Sequence, residues 1–240
     1  MIASPWGIGG RHVRHLYWAF VLAFVIMGVG FWPSVHGDFG PIDTIRTLHG
    51  LCASGWMAML ILQSWLIGHN KWRLHVRVGR VSRYLAAALV ATAFIVVCDM
   101  LGPQSHFSPE LRLTLAWLDL WSLVLFSTLY ILALINRRNM NLHARYMAST
   151  VFVALPPAVG RILGEHFAWF GGLKGALSPS YLLMVAILAV LILWDARHRR
   201  FFPAFPITMA ATIAMWATMF AAPHWPPFIA LARAIGLPPV

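Results

Sequence analysis

Seven times in 240 residues the chain runs for about 20 positions with few charges. As a helix, a run of that length crosses a hydrocarbon core of roughly 30 Å. In lipid every backbone N–H and C=O must be satisfied internally, so only helices and closed barrels span a bilayer. Runs this continuous do not alternate as barrel strands do. The pattern predicts an all-α polytopic membrane protein of one domain, residues 1–240, with seven transmembrane helices. The predicted spans lie near 14–32, 48–68, 80–101, 112–135, 144–164, 180–197 and 205–222. Turn-forming and charged stretches separate them, among them GPQSHFSPE (102–110), NRRNMN (136–141) and RHRRFFP (197–203).

Composition agrees, since 60% of the residues are hydrophobic and only 10% are charged. Soluble domains carry about a quarter charged residues. The first run is too long for a signal-peptide core and no clear small-x-small cleavage site follows, so it reads as a retained helix. The final stretch PHWPPFIALARAIGLPPV is too short and Pro-broken for an eighth span and suits the interface.

The net charge of +11 reports topology rather than nucleic-acid binding. With a cytoplasmic N-terminus, 13 of the 18 Lys and Arg residues fall inside and five (Arg46, Arg112, Arg161, Lys174 and Arg233) outside, the positive-inside pattern of a bacterial inner membrane. Seven spans then leave the C-terminus outside. Six acids lie on the outer half and Asp195 alone lies inside. Cys52 and Cys98 sit at similar depth and read as free thiols. The bilayer is the first partner, with attraction to anionic headgroups.

Polar side chains at membrane depth are costly and mark function or structure. His49, Trp56 and Gln63 recur every seven residues; 14 residues turn a helix to within about 40° of its starting direction and rise roughly 21 Å, so the three form one inward stripe. Arg161 needs a carboxylate at its depth, and Asp99 or Asp119 is the expected partner. An outward-opening polar chamber would be lined by His49, Asp99, His106, Asp119, Arg161 and His166. Pro156 and Pro157 should break the fifth span in its middle, and Gly160 with Gly164 suits close helix contact.

At the inner face His75 opens the third helix and His143 the fifth. Two histidines on different helices at matching depth are the minimum for a bis-imidazole b-type haem. Gly79, Ala144 and Ala148 are small neighbours, and Arg73, Arg77 and Arg145 could pair with propionates. The bland alternative is that the same residues belong to the positive-inside edge, snorkelling to headgroups. His49 with His106 is a weaker pair, because His106 lies in a loop.

Two resemblances follow. TLHGLCASGWMAMLILQSWLIGHNKWRLHVRVGRVSRY (47–84) and NLHARYMASTVFVALPPAVGR (141–161) resemble a bacterial predicted-membrane-protein family of unassigned function. The matching residues are His49, Gly50, Gln63, His75, Gly79, Arg80, His143, Arg145, Met147 and Arg161. Val76 stands where that family has Arg. The resemblance implies a site and no known reaction. In layout the chain is also similar to ascorbate-reducible transmembrane cytochromes b, in which four central helices each supply one histidine. His49, His75 and His143 fall on the expected helices, whereas the fourth has Asp119 and no histidine. That likeness implies at most the inner haem, on His75 and His143.

Four classes remain in competition. Electron transfer through a b-type haem, drawing on a quinone pool, is the first. A transporter or sensor of a small polar or anionic solute, with Arg161 as anchor in the outer chamber, is the second. A zinc-dependent intramembrane hydrolase needs a His-x-x-x-His pair, and none exists. An accessory subunit of a larger membrane complex is the fourth, since apolar packing surface is abundant.

Overall fold

The computed structural model describes residues 16–35, 43–103, 105 and 107–238, with the side chains of residues 33–35 excepted. Arg11, Arg14, Asp38 and His106, used in the sequence reading, lie outside the described residues. The chain folds as α1 (Tyr17–Val35), α2 (Thr44–Gly68), α3 (Trp72–Leu101), α4 (Pro109–Ile135), α5 (Met140–Ser149), α6 (Val151–His166), α7 (Leu173–Arg197), α8 (Ala204–Thr218) and α9 (Pro226–Ile235). Short 3-10 turns precede α7 and α9, and no strand occurs among the described residues.

Local chemistry sets the helix starts. Asp43 accepts from the Arg46 amide at 2.7 Å, Asn139 from Leu142 at 3.3 Å and Ser108 from Leu111 at 3.4 Å. Each is an N-cap that satisfies an otherwise orphaned donor. Pro109 opens α4 where its missing N–H is harmless. At the other end of α3, Arg112 donates to the carbonyls of Leu101 and Gly102, closing a terminus that water would otherwise serve.

Five helical segments are long and apolar enough to cross a membrane: α2, α3, α4, the α5–α6 pair (Met140–His166) and α7. The described part of α1 and the 15-residue α8 fall short of that length. Three or four residues join α2 to α3 and α4 to α5, so these neighbours run antiparallel. α1 packs on α2 and α6, α4 lies between α3 and α5, and α8 lies against α7 and α5. Two ends result: the His75 end, where α2 and α4 finish, and the Arg161 end, where α3 and α6 finish.

The fifth predicted span differs in detail. The helix continues through Pro156 and Pro157, and its break lies upstream at Thr150. There the Thr150 hydroxyl donates to the Met147 carbonyl at 2.7 Å and accepts from the Trp56 indole at 3.1 Å. Each proline removes one backbone donor and crowds the carbonyl four residues back, and α6 carries both without a break. The hydroxyl and indole at Thr150 supply partners where the helix gives way.

Trp56 is 3% exposed and packs its ring edge-on against Phe126 and Tyr130 at 4.9 and 5.3 Å. Around it gather Ala23 and Met27 of α1, Met57 and Leu60 of α2, Ala86 of α3 and Leu155 and Ala158 of α6. A second cluster joins α4, α7 and α8 through Leu125, Leu129, Tyr181 and Met215. A third lies at the Arg161 end, where Phe228 and Ala232 of α9 plug onto Val97, Leu101 and Ala116. The terminal segment is thus a short helix laid on the bundle end.

Candidate functional site

The heptad stripe of α2 faces its neighbours. The His49 imidazole bonds the Thr92 hydroxyl at 3.3 Å. Thr92 spends its own proton on the carbonyls of Ala88 and Leu89, so Nδ1–H of His49 is the donor. Gln63 is 9% exposed and donates to the His75 carbonyl at 3.2 Å. Gly79 turns toward the Gln63 amide, where an added Cβ would come within 3.4 Å. Its small size therefore serves the α2–α3 contact.

His75 and His143 meet at the His75 end. Their rings stand 6.4 Å apart, centre to centre, at 90°. They project from α3 and α5, both of which pack on α4. His143 donates Nδ1–H to the Ala133 carbonyl at 2.8 Å, which leaves Nε2 as the acceptor. His75 Nδ1 is buried without a hydrogen-bond partner among the described residues. A ring nitrogen held on a backbone carbonyl, with the other nitrogen free, is the usual arrangement of a metal-ligating histidine.

The haem expectation can be tested on these distances. Ring centres 6.4 Å apart at 90° fall within the roughly 4.5–7 Å of an ordinary edge-on ring contact, so the spacing by itself is met without a bound group. Among the described residues no three His, Cys, Asp or Glu side chains gather as a metal set. Two histidines are nevertheless the donor set that a b-type haem would take.

The flanking arginines do not fit a propionate role. Arg77 is exposed and lies about 200° around α3 from His75. Arg145 is 7% exposed and committed elsewhere: Nε donates to Asp195 Oδ2 at 2.7 Å, Nη2 to Oδ1 at 2.5 Å, and Nη1 to the Asn141 carbonyl. Its guanidinium also stacks over Phe202 at 4.1 Å. This bidentate pair clamps α5 to α7. Its signal in the sequence was Asp195, the one acid among the inner cations.

The outer residues disperse. Asp99 pairs with Arg46 at 2.6 Å, half-exposed, rather than with Arg161. His49 is tied to α3, and His166 lines a surface groove beside Val25, Gly28 and Val29. Asp119 and Arg161 alone come together, lining a cavity of about 20 Å³ with Ser122, Pro157, Leu177 and Tyr181. That volume holds about one water, and among the described residues His49, Asp99 and His166 do not line it. Arg161 donates Nη1 to the Pro157 carbonyl at 3.0 Å and lies over Phe31 at 4.5 Å. Ser122, one turn from Asp119, and Tyr181, the one tyrosine of α7, were not singled out in the sequence reading. Both are polar residues within apolar runs, which was the available signal.

Comparison with protein families, with curated proteins and with solved structures found no match.

Proposed function

We propose that the chain is a seven-pass protein of a bacterial inner membrane, N-terminus inside and C-terminus outside, that transfers electrons through a b-type haem held by His75 and His143. One observation supports this reading: two imidazoles, one from α3 and one from α5, come together at one end of the bundle with their rings 6.4 Å apart. The residues shared with the family of unassigned function support it, because Gln63, His75, Gly79 and His143 converge at one end. The quinone pool is the natural electron partner for such a centre in a membrane.

A haem held there would supply one-electron oxidation and reduction. The chain's own residues do the positioning. The Ala133 carbonyl fixes the tautomer and direction of His143, and the Gln63 amide steadies the α3 backbone at His75. α3 and α5 both pack on α4, which brings the two histidines to the same end.

The test is a reduced-minus-oxidised absorption spectrum of the purified protein from haem-replete cells. A sharp b-type alpha band is expected, lost in His75→Ala and in His143→Ala and retained in His49→Ala. A colourless wild-type protein overturns the proposal.

A further inference from the structure

We propose that the cavity between α4, α6 and α7 is a proton-binding site, in which Asp119 takes up and releases a proton through one water-sized ligand held against Arg161 and Tyr181. Asp119 lies ten residues into α4, about 15 Å along the helix from its start. It makes no ion pair and no hydrogen bond among the described residues, although Arg161 lines the same cavity. Tyr181 is 3% exposed, and its phenol likewise has no hydrogen-bond partner there. Neither the Asp119 carboxylate nor the Tyr181 phenol is sealed off without a partner, so both oxygens reach water-sized space, and the cavity they line is where one bridging molecule meets both. Arg161 carries five N–H donors, of which Nη1 serves Pro157. The remainder, the phenol and the Ser122 hydroxyl are enough to hold one bridging molecule.

The charges around the site are few. Arg161 of α6 and Tyr181 of α7 line the cavity with Asp119, and Glu165 lies one turn beyond Arg161 on α6. The other charged groups of α4 are engaged elsewhere, Glu110 with Lys174 and Arg112 with the end of α3. With Asp119 ionised, Asp119 and Arg161 together are neutral. A proton delivered through the bridging molecule forms the carboxylic acid and leaves the two at +1. No bond other than O–H is made or broken.

The site is separate from the histidine pair, and its test is indifferent to haem. Infrared difference spectra of the full-length protein in lipid nanodiscs, titrated across the range in which it stays folded, read the carbonyl band of a protonated carboxyl. A titrating band is expected that shifts on isotope labelling of aspartate and disappears in Asp119→Asn. Tyr181→Phe should keep the band and displace its midpoint by about one pH unit. If Asp119→Asn fails to fold, the labelled wild type and Tyr181→Phe decide the matter. The absence of any titrating aspartate band would make Asp119 permanently ionised, and a midpoint unmoved by Tyr181→Phe would separate Tyr181 from the titrating group; either result overturns the proposal.

Discussion

Arg145 and Asp195 illustrate what one residue can and cannot reveal. Both are 7% exposed and bonded through two parallel N–H···O contacts. Removing one partner from a buried pair leaves an uncompensated charge, which costs about 3–5 kcal/mol. Asp195→Ala should therefore lower the melting temperature in detergent sharply, and the double change Arg145→Met with Asp195→Leu should recover most of the loss. A single variant as stable as wild type would mean that the pair contributes nothing to holding α5 on α7. Arg46–Asp99 and Lys174–Glu110 keep between a third and a half of their side-chain surface. Pairs of that kind contribute about 0–1 kcal/mol, so Asp99→Asn should be nearly silent. Sequence supplied depth for all these residues but not azimuth. Asp99 and Asp119 were equal candidates for Arg161 on depth, and rotation about the helix axis sent one to Arg46 and the other to the cavity.

At the scale of elements, periodicity served well because a helix repeats its facing every seven residues. His49, Trp56 and Gln63 point to their neighbours as that spacing implies. Helix starts were less legible: α3 begins at Trp72, eight residues before the apolar run that announced it. Its first turns carry Arg73, Arg77 and Arg80, which hydropathy reads as loop although the backbone is already helical. Close approach is equally hidden in a single letter. At Gly30 an added Cβ would fall 2.8 Å from the backbone C and Cα of Ala158, so α1 and α6 touch main chain to main chain. Gly30→Ala should force them apart at about 1–3 kcal/mol. Gly28, two residues earlier, has nothing within 4 Å of that position, and Gly28→Ala should stay within about 0.5 kcal/mol of wild type. Equal melting shifts for the two would refute the contact.

For the whole molecule, the cations gather at the His75 end and the acids at the Arg161 end, with Asp195 as the exception. In the proposed orientation a reporter fused before α1 is cytoplasmic and one fused after α9 is external. Paired reporter fusions check this: opposite signals are expected, and matching signals would remove one crossing. α8 is the crossing most exposed to that test. Its 15 residues rise about 22 Å, against a hydrocarbon core of roughly 30 Å. α4, beside it, has 27 residues and reaches about 40 Å. In the proposed seven-pass arrangement, lipid along the α8 flank compresses while lipid elsewhere does not, at fractions of a kcal/mol for each ångström of mismatch. A protein ringed by unevenly strained lipid relieves that strain by pairing its short flank with another short flank, and by drifting toward thin regions of the bilayer. Where the molecule settles in a cell would then be governed by its least conspicuous helix.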